Sequence, residues 1–547
     1  MSSQPDNRMF TWRRAGALAV SLVMLWFVFG RIDAAGLTQA FRQVHPGWCA
    51  VTLAAFGPAI VLAAWRWHLM LRLMGATVHP LASYRAVLIG HFFTTFRCGP
   101  AGGEAARSAL YARWYRHPVA DVLAASLLDR LLNAGGAVLL GVLTMGAAVL
   151  SGAFGVLSQA DSPRPGWWAV GAMVLALIGY EVVRRPPGMK TSTLGTSAAK
   201  LAAVPRVAVQ GPLLGLLAQV FWCGLPALGL LAVSSSAIPW AALLWTFPVI
   251  GLLASAPVTL AGAGVREGSA LFLLGLYGVP PTDAVAAALL VSLVCLLWAG
   301  VGGMMLWREE RLFARYQDRP ASRTISVVIP ALNEAAALPE TVKHLRAIPE
   351  IEEIILVDGG STDATRAVAA ELGCHVVASP PGRGGQMRRG ATQARGDVVM
   401  LVHADTWLPP NAGEATLRSL RDATLAGGGF WKIFRDPSWL MLGSRWRCAT
   451  RLHVAGRIAG DQVMFMRRAV LEEVGGIPDM PLMEEFELCR RLRGAGRLAL
   501  AEATVTTSAR RFARLGPLRT YARMWRVAML YRLGVPPQEL QRIYERE

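Results

Sequence analysis

Ile325-Ser-Val-Val-Ile-Pro-Ala-Leu-Asn-Glu334 and Ile354-Ile-Leu-Val-Asp-Gly-Gly-Ser-Thr-Asp363 decide how the second half of this chain folds. Each is a short β-branched run that stops at residues suited to turns, the mark of a strand running into a loop. His375-Val-Val-Ala378 and Val398-Val-Met-Leu-Val402 repeat the pattern. The helical stretches 335–345, 362–372 and 385–394 lie between them. Strands alternating with helices predict a parallel α/β sheet, whose ligands bind beyond the carboxyl ends of the strands. The residues just after each run are therefore the candidates for chemistry.

After the first strand stand Pro330, Asn333 and Glu334, and after the second Asp358-Gly-Gly-Ser-Thr-Asp363. The glycine pair lets backbone approach a ligand, and Asp358 at a strand end is suited to accept hydrogen bonds from a base or ribose hydroxyl. The same Asp-Gly-Gly is also a plain turn signal. Pro380-Pro-Gly-Arg-Gly-Gly-Gln-Met-Arg-Arg-Gly390 is a basic loop opening a helix, in which Arg383, Arg388 and Arg389 suit a pyrophosphate or simply solvent. His403 and Asp405 lie two apart at the end of the fourth run, which in an extended chain puts them on one side and predicts a divalent-metal site. Asp405 suits Mg²⁺, and an imidazole ligand from His403 would favour Mn²⁺. Glu484, Glu485 and Glu487 open a further helix, where carboxylates are ordinary dipole partners or candidates for a general base.

Outward from this half the composition changes. The 547 residues are 54% hydrophobic and 17% charged, against roughly 25% charged in soluble domains. Up to about Trp307 the chain is mostly long apolar runs. A span takes about 20 such residues, and eight stretches qualify: 15–30, 49–65, 131–150, 167–183, 213–233, 241–256, a glycine-broken 257–277 and 284–306. The net charge of +19 is better explained by cytoplasmic flanks of spans than by nucleic acid, and an even span number puts both termini and the second half in the cytoplasm of an inner-membrane protein. The first apolar run lacks a cleavage site and reads as an anchor. Seven scattered cysteines without a CxxC pair predict reduced thiols. Three regions follow: a polytopic membrane domain 1–310, a charged linker 311–322 and a soluble domain 323–547. Two stretches, 91–107 and 262–267, combine glycine with Glu104, Arg107, Arg266 and Glu267; charges at membrane depth predict re-entrant elements on a pathway. The stretches 439–452 and 518–533 mix Trp, Met and Leu with Arg, as helices lying in an anionic interface do.

The run Gly99-Pro-Ala-Gly-Gly-Glu-Ala-Ala-Arg107, the Asp129–Arg130 pair and Gly262-Ala-Gly-Val-Arg-Glu267 resemble the lysylphosphatidylglycerol synthase-type, flippase-like membrane domain. In the second half, PxxNE, VDGGSTD, GRGGQ, HAD and MEEFEL, in that order, resemble glycosyltransferase family 2 of the GT-A fold. The HAD and GDQ spellings are similar to its arsenosugar-biosynthesis or selenodomain-associated subgroup. The resemblance implies an inverting transfer of a sugar from a nucleotide-diphosphate donor with Mg²⁺ or Mn²⁺, and an acceptor that is a lipid or lies near the membrane. It implies that Pro330, Asn333, Glu334, Asp358 and Asp363 bind the nucleotide, that Arg383 and Gln386 line the donor, that Asp405 holds the metal and that Glu485, beside Glu484, is the base. His403 stands where the family has the first Asp of its DxD, and Glu485 replaces an Asp. Two other readings compete: a lipid flippase with a degenerate nucleotide-sugar-binding domain, and an anchored transferase for a small soluble acceptor.

Overall fold

The computed structural model describes residues 7–76, 79–150, 199–234, 240–255, 259, 262–435, 441 and 443–546. The chain forms two compact units, Met1–Arg311 and Leu312–Glu547.

The first unit is helical. Four helices among the described residues are long and apolar enough to cross a membrane: Pro46–Leu73, Val119–Thr144, Pro205–Val233 and Pro281–Tyr316. Leu18–Phe29 and Ala34–Arg42 form a pair bent by 89°, which would make a fifth if counted as one span. The expected eight are not confirmed among the described residues. The helix Trp240–Ser255 has 16 residues and a length of about 24 Å, short of the ~30 Å hydrocarbon layer. Stretch 257–277 supplies only the 11-residue helix Val265–Gly275 among its described residues, and stretch 167–183 lies outside the described residues.

The two expected re-entrant elements also differ. Stretch 91–107 is helical throughout, with the helix Pro80–Phe93 passing through a π-turn at Thr94–Cys98 into Gly99–Trp114. Its glycine serves packing, because a Cβ on Gly103 would lie 2.6 Å from the Gly90 carbonyl oxygen. Stretch 262–267 does carry irregular backbone. Gly264 has φ +86°, and a Cβ there would meet Met24 and the Ser21 carbonyl. The Glu267 carboxylate closes this turn by accepting from the Gly264 N–H at 2.7 Å. Residues 311–316, expected to begin the linker, prolong the last helix, Pro281–Tyr316.

The second unit is built on one eight-stranded mixed sheet in the order β3-β2-β1-β4-β7-β6-β8-β5. The strands are β1 (Ile325–Ala331), β2 (Ile351–Asp358), β3 (His375–Ala378), β4 (Val398–Leu401), β5 (Thr406–Trp407), β6 (Leu425–Phe434), β7 (Met464–Arg467) and β8 (Arg497–Thr507). β1 pairs in parallel with β2 and β4, and β2 with β3, as the alternating pattern predicts. Beyond β4 the sheet becomes mixed: β7 runs antiparallel to β4 and to β6, while β6 and β8 are parallel. Val327, Ile329, Val398 and Met400 face one apolar layer, and Val328, Ile355, Val357 and Val399 the other. Burial on both faces explains why these runs are continuously apolar rather than alternating.

Candidate active site

The carboxyl ends of β1 and β2 are sewn together by their own loops. Asn333 has φ +55°, a left-handed conformation that Asn tolerates better than most residues. In that pose its N–H donates to Ser361 Oγ at 2.9 Å and its Oδ1 accepts from the Thr362 N–H at 2.9 Å. The Glu334 N–H donates to Thr365 Oγ1 at 2.8 Å, and Asp363 accepts from the N–H groups of Ala335 and Thr365. The Thr365 hydroxyl, aided by these amides, holds the Asp363 carboxyl below the usual range. Asp358 is only 1% exposed and accepts from the N–H groups of Gly360 and Ser361. Its carboxylate thus joins its own turn, as the Asp-Gly-Gly sequence allowed, and also lies 3.8 Å from Arg366 Nε. Pro330 stays within β1.

Gln386, expected to line a donor, points inward. Its buried amide donates to the carbonyls of Ala331 at 2.8 Å and Val357 at 2.9 Å, tying the ends of β1 and β2 to the helix Arg383–Gln393. Of the loop arginines, Arg388 is exposed and Arg389 donates to the Ala378 carbonyl.

Arg383 gathers the carboxylates. Its Nε lies 2.6 Å from Glu484 Oε1, and its Nη2 pairs with Glu485. Glu484 is 2% and Glu485 8% exposed. Both open the helix Glu484–Gly494 behind Met483, whose φ of +66° turns the chain into it. Gly460 is the floor of this group, since a Cβ built there would crowd Glu485 and lie 2.9 Å from both Arg383 Nη2 and His403 Nε2. Beside it, Asp461 pairs with Lys432 at 2.5 Å. Burial pushes the Asp461 carboxyl up, but the Lys432 and Arg451 cations outweigh that and hold it at about 2. Glu487 stays apart, bound to Arg490 and Arg491 on the helix surface, where chiefly the Arg490 hydrogen bond keeps its carboxyl low.

Asp405 belongs to a second group. Arg510 Nη2 lies 2.8 Å from Asp405 Oδ2 and 3.1 Å from Glu334 Oε1, bridging the two carboxylates. The Glu334 hydrogen bond first, then Asp405, pushes the Arg510 guanidinium up. His403 and Asp405, expected on one side of an extended chain, keep different company. β4 ends at Leu401, and a tight turn follows in which the Thr406 N–H donates to the His403 carbonyl, so the two-residue period no longer applies. No three His, Cys, Asp or Glu side chains among the described residues are grouped to hold a metal ion. Asp405 and Glu334 nonetheless offer the hard oxygen donors that suit a cation drawing its other ligands from water and a diphosphate.

Arg510 and Lys432 were not among the residues singled out from sequence, whereas Gly460 was read only as part of the Gly-Asp-Gln spelling. Arg510 follows β8 and Lys432 lies within β6, so neither sits after one of the parallel strands where the search was made. In the helical unit Glu104 pairs with Arg130, and Arg107 with Asp129, rather than with each other. Arg266 and Glu267 converge on the Ser292 hydroxyl, at 2.7 and 3.0 Å. Among the described residues six cysteines are free thiols, and burial lifts that of Cys489 to about 11.

The family described as "Lysylphosphatidylglycerol synthase TM region" matches residues 14–302, and "Glycosyl transferase family 2" matches residues 326–474. An uncharacterized glycosyltransferase of Escherichia coli K12 is 34% identical over 185 residues, 32% of this chain and 43% of that protein. An undecaprenyl-phosphate 4-deoxy-4-formamido-L-arabinose transferase of Pseudomonas paraeruginosa is 33% identical over 133 residues, 22% of this chain and 39% of that protein. The chain therefore spans less than half the length of these curated relatives. Among solved structures, glucosyl-3-phosphoglycerate synthase of Mycobacterium tuberculosis, in complex with Mn²⁺, UDP and glucosyl-3-phosphoglycerate, is 23% identical, covers 42% of this chain and 84% of that one, and has a TM-score of 0.29.

Proposed function

The chain belongs to the family of the lysylphosphatidylglycerol synthase TM region and carries a glycosyl transferase family 2 domain of GT-A type behind it, and from that premise we propose that it moves a sugar, with inversion, from a nucleotide-diphosphate donor to a lipid or lipid-linked acceptor at the inner membrane. The observation that carries the reading is the meeting of Arg383, Glu484, Glu485 and His403 around Gly460. A basic loop facing buried carboxylates offers both what a leaving diphosphate and what an attacking hydroxyl require.

In this proposal the loops at Asn333, Glu334, Asp358 and Asp363 receive the nucleoside through their backbone and outer edges, since Asp358 itself is buried. Gln386 acts by fixing the two loops together, and Arg383 meets the diphosphate. Glu485 takes the proton of the acceptor oxygen as that oxygen bonds to the anomeric carbon and the carbon–oxygen bond to the diphosphate breaks. Glu484 keeps Arg383 in place. Asp405, with Glu334 beside it, would hold Mg²⁺ or Mn²⁺, which when bound neutralises the diphosphate; Arg510 would release them to it.

A lipid acceptor is favoured by the surface of the second unit. Trp446, Val454, Leu518, Trp525 and Leu533 are exposed there alongside the exposed Arg445, Arg519, Arg526 and Arg532. Met441, Tyr521 and Met524 of the same stretches pack inward near Phe434 and Phe512, and Arg447 joins the stretches by donating to Tyr521 Oη at 2.9 Å. Trp439, Leu440 and Leu442 lie outside the described residues. Exposed apolar and cationic side chains on the same helices suit an anionic interface. Both termini would then be cytoplasmic. Mass spectrometry of lipid extracts from cells with and without the chain tests the reading: a glycosylated lipid that appears only with it is expected, and identical lipid profiles would contradict it.

A further inference from the structure

Strand register in the second unit brings a side-chain cation to the carboxylates proposed to hold the metal. β5 and β8 pair antiparallel with Thr406 opposite Thr507, and the two hydroxyls lie 3.0 Å apart. In such a pair the residue before one strand lies beside the residues after the other, so Asp405 meets the turn that follows β8. There the Arg510 N–H donates to Ser508 Oγ at 3.2 Å. Phe512, 8% exposed, fixes the short helix Arg510–Leu515 against Phe434 and Tyr521, at ring distances of 5.0 and 5.1 Å. The backbone is thus anchored, while the Arg510 side chain stays 59% exposed. Its Nη2 spans both carboxylates, 2.8 Å from Asp405 Oδ2 and 3.1 Å from each Glu334 oxygen. The neighbouring charged groups have other partners. Arg435 donates to the Asp405 carbonyl rather than to its carboxylate, and Asp363 accepts from the N–H groups of Ala335 and Thr365.

A hard divalent cation takes carboxylate lone pairs at about 2.1 Å, and these are the lone pairs at which Arg510 Nη2 points its N–H groups. Two cations that close to one another repel. Guanidinium and metal are therefore alternatives on the same oxygens. We infer that Arg510 is a built-in competitor of the divalent metal, which loads onto Asp405 and Glu334 only by displacing the guanidinium and so binds weakly by itself. The exchange needs no movement of the backbone, because an exposed arginine can swing into solvent about its own side-chain torsions. The inference rests on the reading of Asp405 and Glu334 as the holders of the metal.

The full chain, purified in a neutral maltoside detergent, is titrated with Mn²⁺ alone while the electron paramagnetic resonance signal of the unbound ion is followed. Arg510→Gln is expected to tighten Mn²⁺ binding about tenfold or more, within the roughly 5- to 150-fold range usual for coupled ligands. Arg510→Lys keeps the charge and is expected to stay near the native affinity. Adding Asp405→Ala to Arg510→Gln is expected to abolish the gain. A merely structural role for Arg510 would leave Mn²⁺ affinity unchanged or lower it. If Arg510→Gln binds Mn²⁺ no more tightly than the native chain, while Asp405→Ala weakens native binding, the inference is overturned and the metal reading stands. Mn²⁺ binding that is indifferent to Asp405→Ala in both backgrounds would overturn the two together.

Discussion

Replacing Arg383 with alanine removes a cation that the structure sets against two adjacent buried carboxylates, Glu484 and Glu485. Breaking a fully buried ion pair from one side costs about 3–5 kcal/mol, because the remaining charge is left without compensation. The Arg383 side chain is 39% exposed, so water screens part of that penalty and about 2 kcal/mol remains. For a unit the size of Leu312–Glu547 that lowers the unfolding midpoint by about 4–8 °C. If the cause is the stranded carboxylates, Glu484→Gln should be destabilising in the native background yet recover about 1 kcal/mol when added to Arg383→Ala. Calorimetric melting of the full chain and its three variants measures both effects. Additive losses, with no recovery in the double variant, would refute the view that Arg383 is held by these two groups.

Three further outcomes follow from single contacts. Gly460→Ala places a methyl group 2.9 Å from Arg383 and His403, and should cut nucleoside diphosphate release at least tenfold while circular dichroism stays native. Gln386→Leu strips the donors from two buried carbonyls, Ala331 and Val357, and should cost about 2–4 kcal/mol in denaturant unfolding. The Asp461 carboxyl is held at about 2, below its ordinary 3.8. Its contribution is therefore complete above about pH 4 and lost as pH falls through 2, worth about 2 kcal/mol. Asp461→Asn should flatten that part of the stability profile; an unchanged acid slope would show that Lys432 is not its partner.

How much of this could be read from sequence depends on locality. β1 and β2 announce themselves because a β-branched run ends in residues that make the following turn, and Asn333 and Asp363 then bond to neighbours across that turn. The antiparallel pairings, such as Val399 with Met466 and Gly428 with Phe465, are ones that no local pattern encodes. The same limit hid Arg510, which reaches Asp405 across 105 positions of sequence. Where sequence misled, a residue type carried two meanings. Glycine at 99–107 signalled broken backbone but serves the close approach of helices at Gly90 and Gly103. Two-residue spacing of His403 and Asp405 assumed a strand that ends at Leu401.

The central claim is that carboxylates from distant stretches serve one sugar transfer. The full chain in vesicles containing a polyprenyl phosphate, given UDP- and GDP-sugars with Mn²⁺ or Mg²⁺, measures it through release of nucleoside diphosphate. The account predicts release with one donor, lost in both Asp405→Ala and Glu485→Gln. Release that survives in both variants, or none with any donor, would contradict it.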